Sequence, residues 1–492
     1  MSLTHMCDRE RGWSEVPSIK TWQLIAGSAV AGLALSVATV AAAGPWDSGQ
    51  RKAERDRAAS WGRTGVADHA DGPLPDAAPS APGVLGAVGP GALRQETAVG
   101  AADGGGLAAA LKPLLADPAL GSVRTASVVD TATGQVLYES GARDAMTPAS
   151  TIKIVTATAA LAALGPEHRI RTTVVPGAAP GQILLVGGGD PSLTAKKKSP
   201  AGSGGSLVAL AADTAQALKA AGTASVTLGY DDSLFTGTAR HPIGVNPNIA
   251  LVTALTADEG RPDESTSGPV ARAEDPSKDA ARAFAALLAD RGIEVTGEPA
   301  RAKAAVGAQP LATTLSTPMA GLVERMLTNS DNDIAEALAR QTALASGQPG
   351  SFEGAEKAVT DRLTALGIDV NGSRFADGSG LGRADKVSAG LLTAVLAKAA
   401  DPQRPELRPV LTGLPVAGFT GTLRARNSGS SPAAGLLRAK TGTLSGVNSL
   451  AGTVVDPSGR LLAFAFLTAN SADGPVAEKG LDKLAAAVAT AP

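Results

Sequence analysis

Strand-like runs stand at both ends of the globular part of this 492-residue chain, with helix-like runs between them, and this arrangement limits the possible folds more than any other feature. Early on, VRTASVVDTATGQVLYESG reads as two β-branched runs turned at Thr131-Ala132-Thr133-Gly134, a hairpin. Late in the chain, LLRAKTGTLSGVNSLAGTVVDPSGRLLAFAFLTAN reads as three strands with turns at Leu444 to Gly446 and at Pro457-Ser458-Gly459. VAEKGLDKLAAAVAT then closes the chain as a helix. The two groups of strands are expected to join in one antiparallel sheet flanked by helices, with a helical subdomain around Ser330. The class is therefore α/β in the α+β sense, with the main domain over 107–167 and 310–492. Residues 168–309 do not fit that plan. Short strand candidates (IRTTVV, QILLVGGG, SVTLGY, IEVTG) alternate there with helical stretches (LVALAADTAQALKAAG, DAARAFAALLADRG), which predicts an inserted second domain. Within it, Gly187-Gly188-Gly189-Asp190-Pro191 lacks the Lys-Ser/Thr of a phosphate loop and reads as a turn. Lys196-Lys197-Lys198 reads as a solvated loop.

Ahead of this part the chain looks like a targeting element and a tether. Residues 1–21 would be cytoplasmic. From Trp22 to Gly44 there is no charge, enough to cross about 30 Å of hydrocarbon as a helix. Ala41-Ala42-Ala43 offers a small-residue cleavage site, so a retained signal anchor competes with a removed signal peptide. Basic residues flank both sides, which leaves the positive-inside rule ambiguous. Residues 45–106, rich in Pro, Gly and Ala, read as a disordered linker.

Composition excludes several functions. A formal net charge of −2 argues against a nucleic-acid protein. The single cysteine, Cys7, rules out an internal disulfide framework. His5, His69, His168 and His241 match no metal-ligand spacing, so neither a Ser-His-Asp hydrolase nor a zinc peptidase is expected, and no cofactor motif is visible. With seven Phe, four Trp and two Tyr, the cores must be built from Ala, Val and Leu.

What remains for chemistry is lysine. Ser150-Thr151-Ile152-Lys153 is the one Ser-x-x-Lys of the chain, in TPASTIKIVTATAALAALG. With Thr147 as N-cap and Pro148 at the first helical position, Ser150 falls in the first turn, where its amide lacks an intrahelical partner. Lys153 shares a face with Ser150, and an ammonium in an apolar helix has its pKa lowered toward that of a general base. A hydroxyl beside such a base is the arrangement covalent catalysis needs. Taken alone, a snorkelling Lys and a capping Ser are the readier explanation of these residues. Ser330-Asp331-Asn332 and Lys440-Thr441-Gly442 are likewise the one Ser-x-Asn and the one Lys-Thr-Gly of the chain, and the three motifs follow in the order known from penicillin-binding proteins and serine β-lactamases.

The text ASTIK (149–153), LLVGGGDPSL (184–193), SDNDIAEALAR (330–340), DGSGLGR (377–383) and AKTGTLSGVNSLAG (439–452) resembles the low-molecular-weight class C penicillin-binding proteins, the D-alanyl-D-alanine carboxypeptidases and endopeptidases of peptidase family S13. The separation of 180 residues between Ser150 and Ser330 matches members with an inserted domain. The resemblance implies a penicillin-binding/β-lactamase-like transpeptidase fold and an acyl-enzyme on Ser150. Lys153 would take the serine proton, Ser330 would relay it to the leaving amine, and Asn332 would hold Lys153 and the substrate amide. Lys440 would supply positive charge, while Thr441, Gly442 and Thr443 bind substrate along a strand edge. The amides of Ser150 and Thr443 would form the oxyanion hole, and Asp331 would be structural. The implied partners are peptidoglycan stem peptides ending in D-Ala-D-Ala and β-lactams as covalent inhibitors, met outside the cytoplasm by an enzyme anchored through its N-terminal helix or secreted after cleavage.

A class A β-lactamase needs a Glu with an Asn four residues on between the second and third motifs. Asn371 and Asn427 are the asparagines in that interval, preceded four residues earlier by Gly367 and Leu423. An inactive penicillin-binding scaffold is the other alternative, and the intact motifs speak against it.

Overall fold

The computed structural model describes residues 104–197 and 204–491. The uncharged stretch 22–44, the linker to residue 103 and Lys198 lie outside them. No helix among the described residues is long and apolar enough to cross a membrane.

The chain opens with helix α1 (Gly104–Leu115), whose buried stripe Leu107, Leu111 and Leu115 has helical spacing. The hairpin follows as β1 (Val123–Asp130) and β2 (Val136–Ser140). A 3₁₀ turn (Ala149–Ile152) then leads into helix α2 (Lys153–Leu164), in which every residue from Lys153 to Leu161 is buried. A helix apolar all round belongs at the centre of a domain. The expected N-cap is not formed. Thr147 instead donates from Oγ1 to the carbonyl of Arg383 (3.3 Å), and Ala149 takes φ 50°, bending the chain sharply into Ser150.

The next strands build a second, mixed sheet. β3 (Arg171–Pro176), β4 (Gln182–Val186), helix α3 (Leu207–Ala220), β5 (Ser225–Asp231), helix α4 (Pro276–Ala289), β6 (Glu294–Val295), β7 (Ala300–Arg301) and β8 (Ala312–Leu315) follow in turn. The strand order is β6-β5-β4-β3-β8, with β7 also on β5; β5 runs parallel to β4, β6 and β7, while β3 is antiparallel to β4 and β8. Helices α3 and α4 cover it through Leu207, Leu210, Phe284 and Leu288. The glycine-rich turn after β4 is a packing device: a Cβ on Gly188 would lie 1.8 Å from the Arg171 carbonyl.

The chain returns through four long helices, α5 (Met319–Asn329), α6 (Asn332–Ala345), α7 (Phe352–Ala365) and α8 (Ala389–Ala400), whose apolar faces pack on α2, and one short one over Arg408–Thr412. It ends as β9 (Arg438–Leu444), β10 (Val447–Val455), β11 (Leu461–Ala469) and helix α9 (Gly474–Thr490). The first sheet is antiparallel in the order β2-β1-β11-β10-β9, so the two ends of the domain meet between β1 and β11. Strand β11 explains the layering. Leu462, Phe464 and Phe466 face α1 and α9, while Ala463, Ala465 and Leu467 face the helical block. Each buried Phe contributes about 1.5–3 kcal/mol, and the alanines let α8 approach.

Residues 232–275, between β5 and α4, form a long strap that leaves the second sheet and crosses α6. Arg340 donates from its guanidinium to the carbonyls of Thr236 (3.0 Å), Thr238 (3.0 Å) and Gly350 (2.7 Å), and the Ala250 amide donates to Asp333 (2.8 Å).

Candidate active site

The fold brings Ser150, Lys153, Ser330, Asn332 and Lys440 together. Ser150 heads the 3₁₀ turn, and Lys153 stands one turn below it at the start of α2. Ser330 ends α5 in the left-handed region (φ 59°), a conformation a serine holds only under tertiary constraint. Asp331 caps α6 by accepting the Ile334 amide (3.0 Å), which fixes Asn332 at the first position of that helix. Asp331 thus serves as the cap of α6.

Lys153 is fully buried, and its Nζ reaches three acceptors: Ser150 Oγ (2.9 Å), Asn332 Oδ1 (2.7 Å) and the Ser379 carbonyl (2.5 Å). Burial lowers its pKa from 10.5 to about 8, against the opposing pull of Asp377, Glu336, Asp331 and Asp385. Lys440 is also fully buried and donates to Ser330 Oγ (2.8 Å) and to the Thr441 carbonyl (2.7 Å). Burial, then the charges of Lys153 and Arg426, push its pKa well below the usual lysine range. Asn332 Nδ2 donates to the Asn248 carbonyl on the strap (2.9 Å), which sets the amide so that Oδ1 faces Lys153.

Strand β9 is the open edge of the first sheet. The Ala439 amide bonds outward to Pro415 (3.0 Å), so the two-residue period turns the amides of Thr441 and Thr443 to the same edge. Their side chains share a face, as expected, with the Thr441 hydroxyl on Thr422 (3.0 Å) and the Thr443 hydroxyl on Glu478 of α9 (2.7 Å). Gly442 marks where β9 comes closest to the turn that carries Ser150. A Cβ there would meet Ser449 Oγ at 2.2 Å, the Pro148 carbonyl at 2.7 Å and the Ser150 amide at 3.0 Å, so glycine lets β9 close onto the 3₁₀ turn. Gly442→Ala is expected to push the strand from Ser150 and slow acylation by a β-lactam about 10²-fold, the cost of roughly 1 Å of misplacement. Stopped-flow acylation with a chromogenic β-lactam checks it; an unchanged rate would mean the contact does not set the site's geometry.

A cleft of about 460 Å³ opens above these groups, lined by Ser150, Asn248, Ser330, Asn332, Leu381 and Thr443. The neighbouring cleft of about 630 Å³, between the strap and α5, is larger, yet none of the three motifs' Ser, Lys or Asn side chains lines it.

Several residues of the site carry no reading from the motifs. Behind Lys153 lies the loop 377–382. Asp377 Oδ1 accepts the amides of Ser379 (3.0 Å) and Gly380 (2.6 Å), and Oδ2 accepts that of Gly382 (2.8 Å). Glu336 on α6 accepts the amides of Gly378 (3.1 Å) and Ser379 (2.9 Å). An Asp ahead of a Gly-x-Gly run signals such a turn, but nothing local says that the Ser379 carbonyl ends on Lys153. Asn248 and His241 reach the site from the strap and have no local signal at all.

An antiparallel sheet whose open edge strand closes on a serine and a buried lysine at the head of a central helix defines the penicillin-binding, β-lactamase-like fold class. Penicillin binding protein 4 of Haemophilus influenzae shares it: the superposition covers 78% of this chain and 98% of that one, with TM-score 0.62 and 24% identity. A second structure of that protein is complexed with a β-lactam (TM-score 0.59). Residues 107–261 and 259–489 match the D-Ala-D-Ala carboxypeptidase 3 (S13) family. Similar proteins include the carboxypeptidase DacB of Mycolicibacterium smegmatis, 38% identical over 391 residues that span 77% of this chain and 83% of that protein. A D-alanyl-D-alanine carboxypeptidase of Actinomadura is 28% identical over 445 residues, spanning 74% and 80%. The chain belongs to the S13 family of D-Ala-D-Ala carboxypeptidases.

Proposed function

We propose that this carboxypeptidase cleaves the terminal D-Ala-D-Ala bond of peptidoglycan stem peptides through an ester on Ser150, outside the cytoplasm, and that it also acts as an endopeptidase on cross-linked stems. The observation that carries the mechanism is the set of partners around Lys153 Nζ. A neutral amine has two hydrogens and one lone pair. Asn332 Oδ1 and the Ser379 carbonyl take the two hydrogens, which leaves the lone pair facing the Ser150 hydroxyl at 2.9 Å. Ser150 Oγ attacks the carbonyl carbon of the penultimate D-Ala while its proton passes to Lys153. The amides of Ser150 and Thr443 receive the oxyanion, where loss of one donor costs about 3 kcal/mol. Ser330, which accepts from Lys440, relays a proton to the departing amine nitrogen; water then hydrolyses the ester. The substrate carboxylate is drawn toward Lys440 and the two threonines. The matches to relatives named carboxypeptidase support the substrate class.

A β-lactam would enter the same course and stop midway. Its leaving nitrogen stays tethered to the ester and blocks the approach of water. Glu336, the carboxylate behind Lys153, already accepts from the amides of Gly378 and Ser379 and is not free to activate a water. The penicilloyl ester is therefore expected to last for minutes or longer. Intact-mass measurement should show one penicillin per chain, mapped to the peptide containing Ser150, with D-Ala release lost in parallel. Rapid repeated turnover of penicillin would favour a β-lactamase instead.

A further inference from the structure

His241 sits on the strap, far in sequence from every motif, and it is buried at 2% exposure beneath the catalytic loop. Its Nε2 lies 3.2 Å from Asp377 Oδ2 and 3.5 Å from Glu336 Oε1, and its ring meets Phe352 edge-on at 5.5 Å. These two carboxylates hold the loop that places the Ser379 carbonyl on Lys153, and Thr156 of α2 anchors the same loop through the Gly378 carbonyl (2.7 Å). Gly380 (φ 82°) seats the loop against the nucleophile's turn, where a Cβ would lie 2.1 Å from the Ala149 carbonyl. The chain of contacts runs from the strap through one imidazole and two carboxylates to the base.

We propose that His241 is a positioning residue for Lys153: as an imidazolium between Asp377 and Glu336 it holds the 377–382 loop in place and offsets the negative field that would otherwise keep the proton on the lysine. The inference rests on Ser150 and Lys153 acting as nucleophile and base. His241, Glu336 and Asp377 have ligand atoms close enough together to suggest a metal centre. The carboxylate oxygens, however, are already taken by the amides of Gly378, Ser379, Gly380 and Gly382. The arrangement is a closed charge network.

The surrounding charges give the sign. Facing His241 are Asp377 and Glu336, with Arg340 one turn along α6 stacked at 4.5 Å on the same Phe352 and Glu353 acting on that arginine. Burial alone would lower the His241 pKa, but the close approach and the charges of Asp377 and Glu336 raise it to about 9. Burial would raise Asp377, and the nearness and charge of His241, followed by the amides of Gly380 and Gly382, bring it down to about 2. Asp385, which accepts the Asp377 amide (3.1 Å), is raised to about 9 by burial and by the charge of Asp377, so it is neutral at pH 7. The Ile243 amide donates to His241 Nδ1 (3.3 Å), which favours a neutral ring protonated on Nε2; against this single long bond stand two carboxylates at 3.2 and 3.5 Å from Nε2, which favour the charged ring. Facing Lys153 are Asp331, Glu336, Asp377, Asp385 and, across the site, Lys440. Removing the imidazolium leaves the charges of Glu336, Asp377 and Asp331 unopposed, Asp385 being neutral, and makes Lys153 harder to deprotonate.

The test is the pH dependence of Ser150 acylation by a chromogenic β-lactam, measured on the full chain. In His241→Gln the rising limb set by Lys153 is expected to move upward by about one pH unit, the effect of one uncompensated buried charge nearby. Acylation at pH 7 should fall about tenfold with it, because below the limb the neutral fraction of Lys153 drops by a factor of about ten for every pH unit. Adding Glu336→Gln removes one negative charge and should bring the limb back down, which a purely structural role would not do. The limb position does not depend on how much of the variant folds. If neither variant folds, selective ¹⁵N-histidine spectra of the unmodified chain decide: His241 should carry protons on both nitrogens at pH 7. A limb that stays in place or moves down, or a neutral His241 ring in the spectra, overturns the proposal. Failure of the wild type to acylate at Ser150 would instead sink the mechanism on which it rests.

Discussion

Ser150→Ala is expected to abolish covalent penicillin labelling and to reduce D-Ala release on the order of 10⁴-fold or more, the usual loss for a serine nucleophile. The structure makes this a sharp test because it contains two serine–lysine pairs. Ser150 Oγ is 2.9 Å from Lys153, and Ser330 Oγ is 2.8 Å from Lys440, with both lysines fully buried and both pKa values lowered. Either pair could be mistaken for the nucleophile and its base. What separates them is the backbone. Ser150 heads a helical turn whose amide is free for an oxyanion, beside a strand edge that turns a second amide the same way. Ser330 ends a helix, and its own amide is spent on the Met326 carbonyl. Ser330→Ala should therefore still be labelled, more slowly. Peptide mapping of the labelled chain distinguishes the pairs, and label retained in Ser150→Ala would place the nucleophile elsewhere. The variant should fold, because Lys153 keeps Asn332 and the Ser379 carbonyl as acceptors.

Much of this site is readable in the sequence because its chemistry is carried by short motifs. Ser150 and Lys153 are one helical turn apart, so their meeting follows from spacing alone. Ser330 and Asn332 flank a helix cap, and Thr441 to Thr443 alternate on a strand. The closure of the sheet is also legible, since strand-like runs at both ends of a domain must pair to bury their apolar faces. The parts that escape are tertiary. The turn at Ala149 with φ 50° looks from sequence like an ordinary capped helix start, because Thr147 and Pro148 are good start signals; the chain uses Thr147 on the 383 loop instead. Gly442 is small for the sake of residues 148 and 150, nearly three hundred positions away. The strap has no periodicity to announce it, yet it delivers the Asn248 carbonyl to Asn332 and His241 to the loop behind Lys153. Contacts of this kind depend on where a loop lands, which local pattern does not encode.

Lys153→Arg should leave the enzyme nearly inactive while keeping the charge, with acylation down about 10²–10⁴-fold, the range for loss of a general base. A guanidinium is never deprotonated in this pH range and has no lone pair to aim at a hydroxyl. The wild-type pH dependence follows from the same lysine. Lys153 could act as a base only when neutral, and burial lowers its pKa from 10.5 to about 8. At pH 7 roughly one molecule in ten is then ready to react, against roughly one in three thousand for an unshifted lysine. Acylation should climb about tenfold from pH 7 to a plateau above the limb near pH 8, and Lys153→Arg should show no such limb. Stopped-flow acylation across pH 6 to 10 measures both. A flat wild-type profile, or an arginine variant that acylates at near-normal rate, would remove Lys153 from the role of base and leave the lowered pKa as a consequence of burial alone.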